Sequence, residues 1–155
     1  MKIKRNEILS LWDVLCSFNG QAGVKFCYAV AKNKRLLQGE VESIYEANPD
    51  TSEDFRSEKK KILDKYAEKD NKKKPIYIDK GNGVSEPKVK PEDRLKAIRE
   101  IEELKNEKFK DKSDQYDKLL REEVEINLHQ ISLDQFPDNI SQHKMDVLFC
   151  LIKEE

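Results

Sequence analysis

The chain has 155 residues, of which 37% are hydrophobic and 39% charged, with a formal net charge of -1. That length and apolar content suit one domain with a modest core better than two, and so even a balance excludes the broad basic footprint of a nucleic-acid or anionic-membrane binder. The charge is unevenly spread, with 12 basic and 8 acidic side chains in residues 51–90 against 11 and 17 in residues 91–155, so the sequence predicts a dipolar molecule.

The start, Met1-Lys2-Ile3-Lys4-Arg5, is basic, but charged and polar residues from Asn6 onward prevent a secretory apolar core from building up. Residues 4–17 place Ile8, Leu11, Trp12 and Leu15 at three- and four-residue steps, one face of a short amphipathic helix that Asn19-Gly20 ends. A second helix is predicted over 21–47. Val30, Leu37 and Ile44 lie seven apart in it, as do Cys27, Lys34 and Val41, so the two series interleave as a coiled-coil-like seam with one polar gap at Lys34. Asn48-Pro49-Asp50 breaks that helix, and Thr51 or Ser52 caps a third, over 52–69, with an acidic first turn at Glu53-Asp54. Its apolar stripe is thin: Phe55, Ile62, Leu63 and Tyr66.

Lys72-Lys73-Lys74-Pro75 stops the third helix. Segments 76–78 and 84–89, joined by Asp79-Lys80-Gly81-Asn82-Gly83, read as a β-hairpin, with Pro87 confining the second to an edge. From Pro91 a fourth helix runs to about 122, and its middle, with Phe109 alone to bury, is expected to project into solvent. Val124, Ile126 and Leu128 alternate with Glu123, Glu125, Asn127 and His129, giving a half-buried strand over 124–131 that completes a small sheet with the hairpin. A closing helix over 141–152 presents Met145, Leu148, Phe149 and Ile152 on one face. The fold class is therefore mainly α with a small β element (α+β) in a single domain, 1–155: a long helical hairpin, 21–69, packed on helix 91–122, with a short antiparallel sheet.

The order of these elements resembles a group of uncharacterised proteins from tailed bacteriophages and prophages, filed as a phage domain of unknown function. The residues that carry the likeness are the lysine-rich start with its short helix, Val24-Lys25-Phe26 through Ala31-Lys32-Asn33-Lys34-Arg35, Tyr66-Ala67-Glu68-Lys69-Asp70 before the hairpin, and Glu123-Val124-Glu125-Ile126 through Ile131, Leu133 and Phe136-Pro137. The likeness spans nearly the whole chain. It implies a viral origin, in the host cytoplasm or the virion, and transfers no catalytic residue.

The chemistry of catalysis and metal binding is sparsely represented. His129 and His143 are fourteen apart with no cysteine pair nearby, so neither a metal site nor a cofactor is expected. Cys16, Cys27 and Cys150 lie in apolar stretches and read as small, reduced, buried hydrophobes in a cytoplasmic setting rather than nucleophiles or disulfide partners. Glu122, Glu123 and Glu125 offer carboxylates from which paired-acid hydrolysis would draw two, but alternation puts Glu123 and Glu125 on a solvated strand face. The longest wholly apolar runs, Phe26 to Ala31 and Val147 to Ile152, are six residues each, far short of a bilayer span.

What remains is binding. The expected function is that of a phage-encoded, non-enzymatic structural or interaction protein, virion-associated or an assembly accessory. Its interaction surface is the seam Val30, Lys34, Leu37, Val41 and Ile44, open to a protein partner or a second copy because helix 52–69 and the region of Phe109 supply too little cover; the alternative is that the seam is buried against the helix from Pro91. Two rival functions stay open. In one, Lys59, Lys60 and Lys61 with Lys72, Lys73 and Lys74 track a nucleic-acid backbone, in binding that is weak and lost with salt. In the other, the protein is a small inhibitor of a host defence enzyme.

Overall fold

A computed structural model describes residues 1–18, 20, 23–81 and 85–153. It is mainly helical, with six α-helices and four short strands among those residues. The backbone gathers into two compact units, one comprising Met1–Ala47 and Asp117–Glu155, the other Asn48–Tyr116.

The first unit begins with strand β1 (Lys2–Lys4), which pairs antiparallel with β4 (Glu123–Glu125). Ile3 faces Val124 and is buried, while Lys2 lies opposite Glu125 and Lys4 opposite Glu123, so the solvated face carries matched charges. Glu123 and Glu125 are exposed, as alternation requires. Helix α1 (Arg5–Cys16) comes immediately after β1, and the Glu7 carboxylate accepts a hydrogen bond from the Lys4 backbone N–H at 3.0 Å. Its Arg5 guanidinium is a tie point, bonding Glu40 at 3.1 Å and also Glu122.

Helix α2 (Val24–Ala47) packs on α1, whose Ile8, Leu11, Val14 and Leu15 are buried. The buried residues of α2 are Phe26, Ala29, Val30, Asn33, Leu37, Val41 and Ile44. Val30, Leu37, Val41 and Ile44 of the sequence seam are thus buried inside the first unit, in which α1 packs on α2, and the expected open surface is corrected accordingly. The buried face is also rotated towards Phe26, Ala29 and Asn33, which leaves Cys27 and Lys34 half-buried at its edge. Phe26 fills the end of this core, meeting the Phe18 ring at 5.0 Å edge-on and Phe136 at 5.4 Å.

Helix α6 (Gln142–Leu148) closes α1 from another side and tightens into a 3-10 turn at Phe149–Leu151. Residues three apart eclipse in that geometry, so Leu151 joins Leu148 on the inward side. Both are fully buried, whereas Phe149, expected inside, is 71% exposed. Leu151 then bridges to Ile131, whose N–H donates to the Leu151 carbonyl. The expected strand 124–131 is therefore short: three residues pair with the chain start, and Ile131 pairs separately beside Ile152.

The second unit is built on α3 (Glu53–Tyr66) and α4 (Pro91–Lys108), which pack together. Ser52 caps α3, its hydroxyl accepting from the Phe55 N–H at 3.3 Å. Ser52→Ala is expected to cost about 1 kcal/mol of stability and Ser52→Gly a few tenths, because glycine keeps the cap backbone accessible to water. Urea melts of the three proteins check this, and equal midpoints for all would show the cap to be idle.

Between the helices lies a hairpin of β2 (Tyr77–Asp79) and β3 (Ser85–Pro87), with Tyr77 opposite Pro87 and Asp79 opposite Ser85. Position 84 of the expected strand, with Asn82 and Gly83 of the turn, lies outside the described residues; Gly81 holds the positive φ of +88° that the turn requires. Ala67 and Val89 add a bridge beside the hairpin. The expected single sheet is therefore two, with residues 123–125 paired elsewhere. The expected helix 91–122 is also two: α4 ends at Phe109, with φ -118° and ψ 9°, before α5 (Lys110–Arg121). Phe109 is turned inward onto Phe55, ring centroids 5.2 Å apart and near-perpendicular, so this residue does not project into solvent. No helix among the described residues is long and apolar enough to cross a membrane.

Candidate functional site

The exposed apolar surface of the second unit is concentrated around one groove of about 400 Å³ between α3, the hairpin and α4. Leu63, Val89, Ala97, Ile98 and Ile101 line it together with Ile78. Ile78 and Ile98 remain 37% and 43% exposed, and Leu95, one turn before Ile98, is 67% exposed. The helical pattern that places Ala97 and Ile101 towards α3 leaves the adjoining stripe of α4 without cover.

The rim is charged. Lys59, Lys80, Lys88 and Arg94 stand against Glu86 and Glu102. Lys88 is engaged by Glu68 at 2.8 Å, while Lys59, Lys80 and Arg94 make no ion pair among the described residues. The unit as a whole carries 19 basic and 17 acidic side chains, the other 11 and 14.

The lysines singled out from the sequence separate by role. Lys59 lines the groove; Lys60 sits over the Tyr77 ring at 5.7 Å; Lys61 bonds Glu58 at 2.8 Å. That bond, with Lys108 nearby, holds the Glu58 carboxyl below the usual carboxylate range. Tyr77 donates to Asp64 at 2.7 Å, a bond that holds its phenol proton above the ordinary range. Lys72, Lys73 and Lys74 are exposed on a tight turn in which Asp70 accepts from the N–H groups of Lys72 and Lys74, and Lys73 adopts φ 61°. Their backbone is ordered by Asp70, but their ammonium groups meet no carboxylate among the described residues.

In the first unit, Val30, Leu37, Val41 and Ile44 are core residues, and Lys34 stands apart from them. Its ammonium lies over the Trp12 ring at 5.6 Å, at the mouth of a cavity of about 450 Å³. Nothing in the hydropathy pattern distinguishes a lysine at the edge of a seam from one lining a cavity. On the other side of α2, the Asn33 amide donates to the His129 carbonyl at 2.8 Å and accepts from the His129 N–H at 2.7 Å. Sequence reasoning passed over Asn33, whose only signal was a polar residue in register with apolar ones.

Among the described residues no cluster of three or more His, Cys, Asp or Glu side chains is placed to hold a metal ion. His129 packs edge-on against Tyr28, and His143 is exposed. Cys16, read from the sequence as buried, is exposed at the last turn of α1, and burial pushes the Cys150 thiol up, which keeps it protonated and a poor nucleophile.

Comparison with family models, curated proteins and solved structures gives no match for this chain.

Proposed function

We propose that the chain is a non-enzymatic interaction protein, an accessory of a tailed phage or prophage, that docks an acidic amphipathic segment of a protein partner on its second unit. The observation that carries this reading is the groove itself. Ile78 and Ile98 line it while remaining substantially exposed, and Lys59, Lys80 and Arg94 surround it without ion pairs among the described residues. Apolar side chains supply the area that drives association, and unpaired cations at a rim favour an acidic partner and speed the encounter. The phage attribution rests on the sequence likeness.

The test compares the protein with its Ile98→Asp variant in affinity capture from a lysate of the producing host. A polypeptide bound by the parent and lost by the variant, with both melting within a few degrees of each other, is the expected result. Retention unaffected by Ile98→Asp sinks the groove. Bound material that nuclease removes, and that Lys72→Glu with Lys73→Glu and Lys74→Glu abolishes, would transfer the function to the exposed lysine turn and a nucleic acid.

A further inference from the structure

The first unit holds a cavity whose chemistry differs from that of the groove. It opens between α1 and α2 and is walled by Trp12, Phe18, Phe26 and Val30, with Lys34 and Arg35 as its only charged lining groups among the described residues. Among the described residues no carboxylate lines it, although acidic side chains are as common as basic ones in the chain. The seam of α2 is interrupted by a lysine at the point where α1 presents Trp12 instead of an aliphatic side chain. The recess opens to solvent past the exposed Ala31, Arg35 and Gln38, and its volume of about 450 Å³ is inside the range of ordinary small-ligand pockets.

We infer that this cavity binds a small aromatic carboxylate, the ring among Trp12, Phe18 and Phe26 and the carboxylate at Lys34 and Arg35. The partly exposed rings of Trp12 and Phe18, above the buried Phe26, favour an aromatic body, because ring edges and faces are attractive in the edge-to-face arrangement that Phe18 and Phe26 already adopt at 77°. An anion satisfies the two cations. Arg35 is exposed with no ion pair among the described residues, so its planar fork is available for bidentate contact, and Lys34 needs only to leave the Trp12 ring face to reach the same head group. The size of the cavity and the pair of adjacent cations set the ligand as a compact monoanion rather than a polymer. The inference is independent of the groove and of the partner proposed for it.

Trp12 is the single tryptophan of the chain, so intrinsic fluorescence reports on this cavity directly. Titration of the full chain with 4-phenylbutyrate is expected to give a saturable change in emission, with 4-phenylbutanol, which lacks the anion, binding about tenfold more weakly or worse. The double variant Lys34→Met with Arg35→Gln should remove that preference while keeping its melting temperature. Ala31→Phe, at an exposed position on the cavity lining, should block the titration without disturbing the core. Decanoate tests an aliphatic body, and tighter binding of decanoate than of 4-phenylbutyrate overturns the aromatic assignment. No saturable change with 4-phenylbutyrate, equal binding of the alcohol, or an anion preference that survives the double variant overturns the site.

Discussion

Truncation after Ile140 is expected to unfold the first unit at ambient temperature. The lost segment carries Leu148 and Leu151, both fully buried, and packs on α1, whose Ile8 and Leu11 lie in the same core. Burial of each leucine contributes about 1.5–3 kcal/mol, and Ile131 loses two backbone partners, to Leu151 at 2.6 Å and to Lys153 at 2.9 Å. The total, about 4 kcal/mol or more, is comparable with the whole stability of a marginal fold of roughly 5–15 kcal/mol. Circular dichroism and Trp12 emission on heating measure it, and a truncated chain that melts cooperatively near the parent temperature would show the segment to be a detachable tail. Phe149→Ser supplies the contrast. The sequence reading puts Phe149 in the core, where this change costs several kcal/mol; its 71% exposure instead predicts a change within about 0.5 kcal/mol.

The two readings of Phe149 show what periodicity reveals and where it stops. Residues at three- and four-residue steps identified α1, α2 and α3 to within a few positions, and Ser52 and Pro91 marked two helix starts, because each signal is local. A switch from α to 3-10 winding at Phe149 changes the angle between successive side chains and is set by the pairing of Ile131 beside Ile152, a contact between residues far apart in the chain. The break at Phe109 has the same origin. Nothing in Lys105 to Gln115 interrupts a helix locally; the ring of Phe55 is what Phe109 turns to meet. Strand β1 was illegible for a further reason, since three residues, Lys2-Ile3-Lys4, are too few to show alternation and acquire it only opposite Glu123, Val124 and Glu125.

The candidate sites divide in the same way. The lysines were visible as residues, but that Lys61 is tied to Glu58, Lys60 lies over Tyr77, and Lys72 to Lys74 stand on a turn organised by Asp70 depends on neighbours the sequence does not rank. The seam of α2 was legible as an apolar face, and its partner was not. Leu37 and Ile44 are fully buried in a unit that does not include α3, so the thinness of the stripe on α3 says nothing about the exposure of α2.

Asn33→Asp is expected to be among the most damaging single-atom exchanges in the chain, and its cost should depend on pH. The Asn33 side chain is fully buried and serves one residue of the segment after β4 as a strand neighbour would, donating to the His129 carbonyl and accepting from the His129 N–H. A carboxylate keeps the second bond but sets an oxygen against the carbonyl in place of the first, inside the protein; only the protonated acid restores a donor. The folded state therefore holds the proton and raises the acid's pKa above its unfolded value of about 3.9. Between those two values the folded chain binds more protons than the unfolded one, so stability falls as pH rises, by about 1.4 kcal/mol per pH unit, and levels off above the raised pKa. With a rise of about 3 units the cost at neutral pH is about 3 kcal/mol beyond that seen near pH 4, moderated by the Lys32 ammonium that lies 3.3 Å from the His129 ring. Asn33→Leu, which leaves both His129 backbone groups unsatisfied without adding a charge, should cost about 2 kcal/mol or more at either pH. Urea melts followed by Trp12 emission, each variant against the parent at the same pH, separate the two. A deficit for Asn33→Asp that is equal near pH 4 and at neutral pH would mean that the buried amide is not what holds His129 to α2.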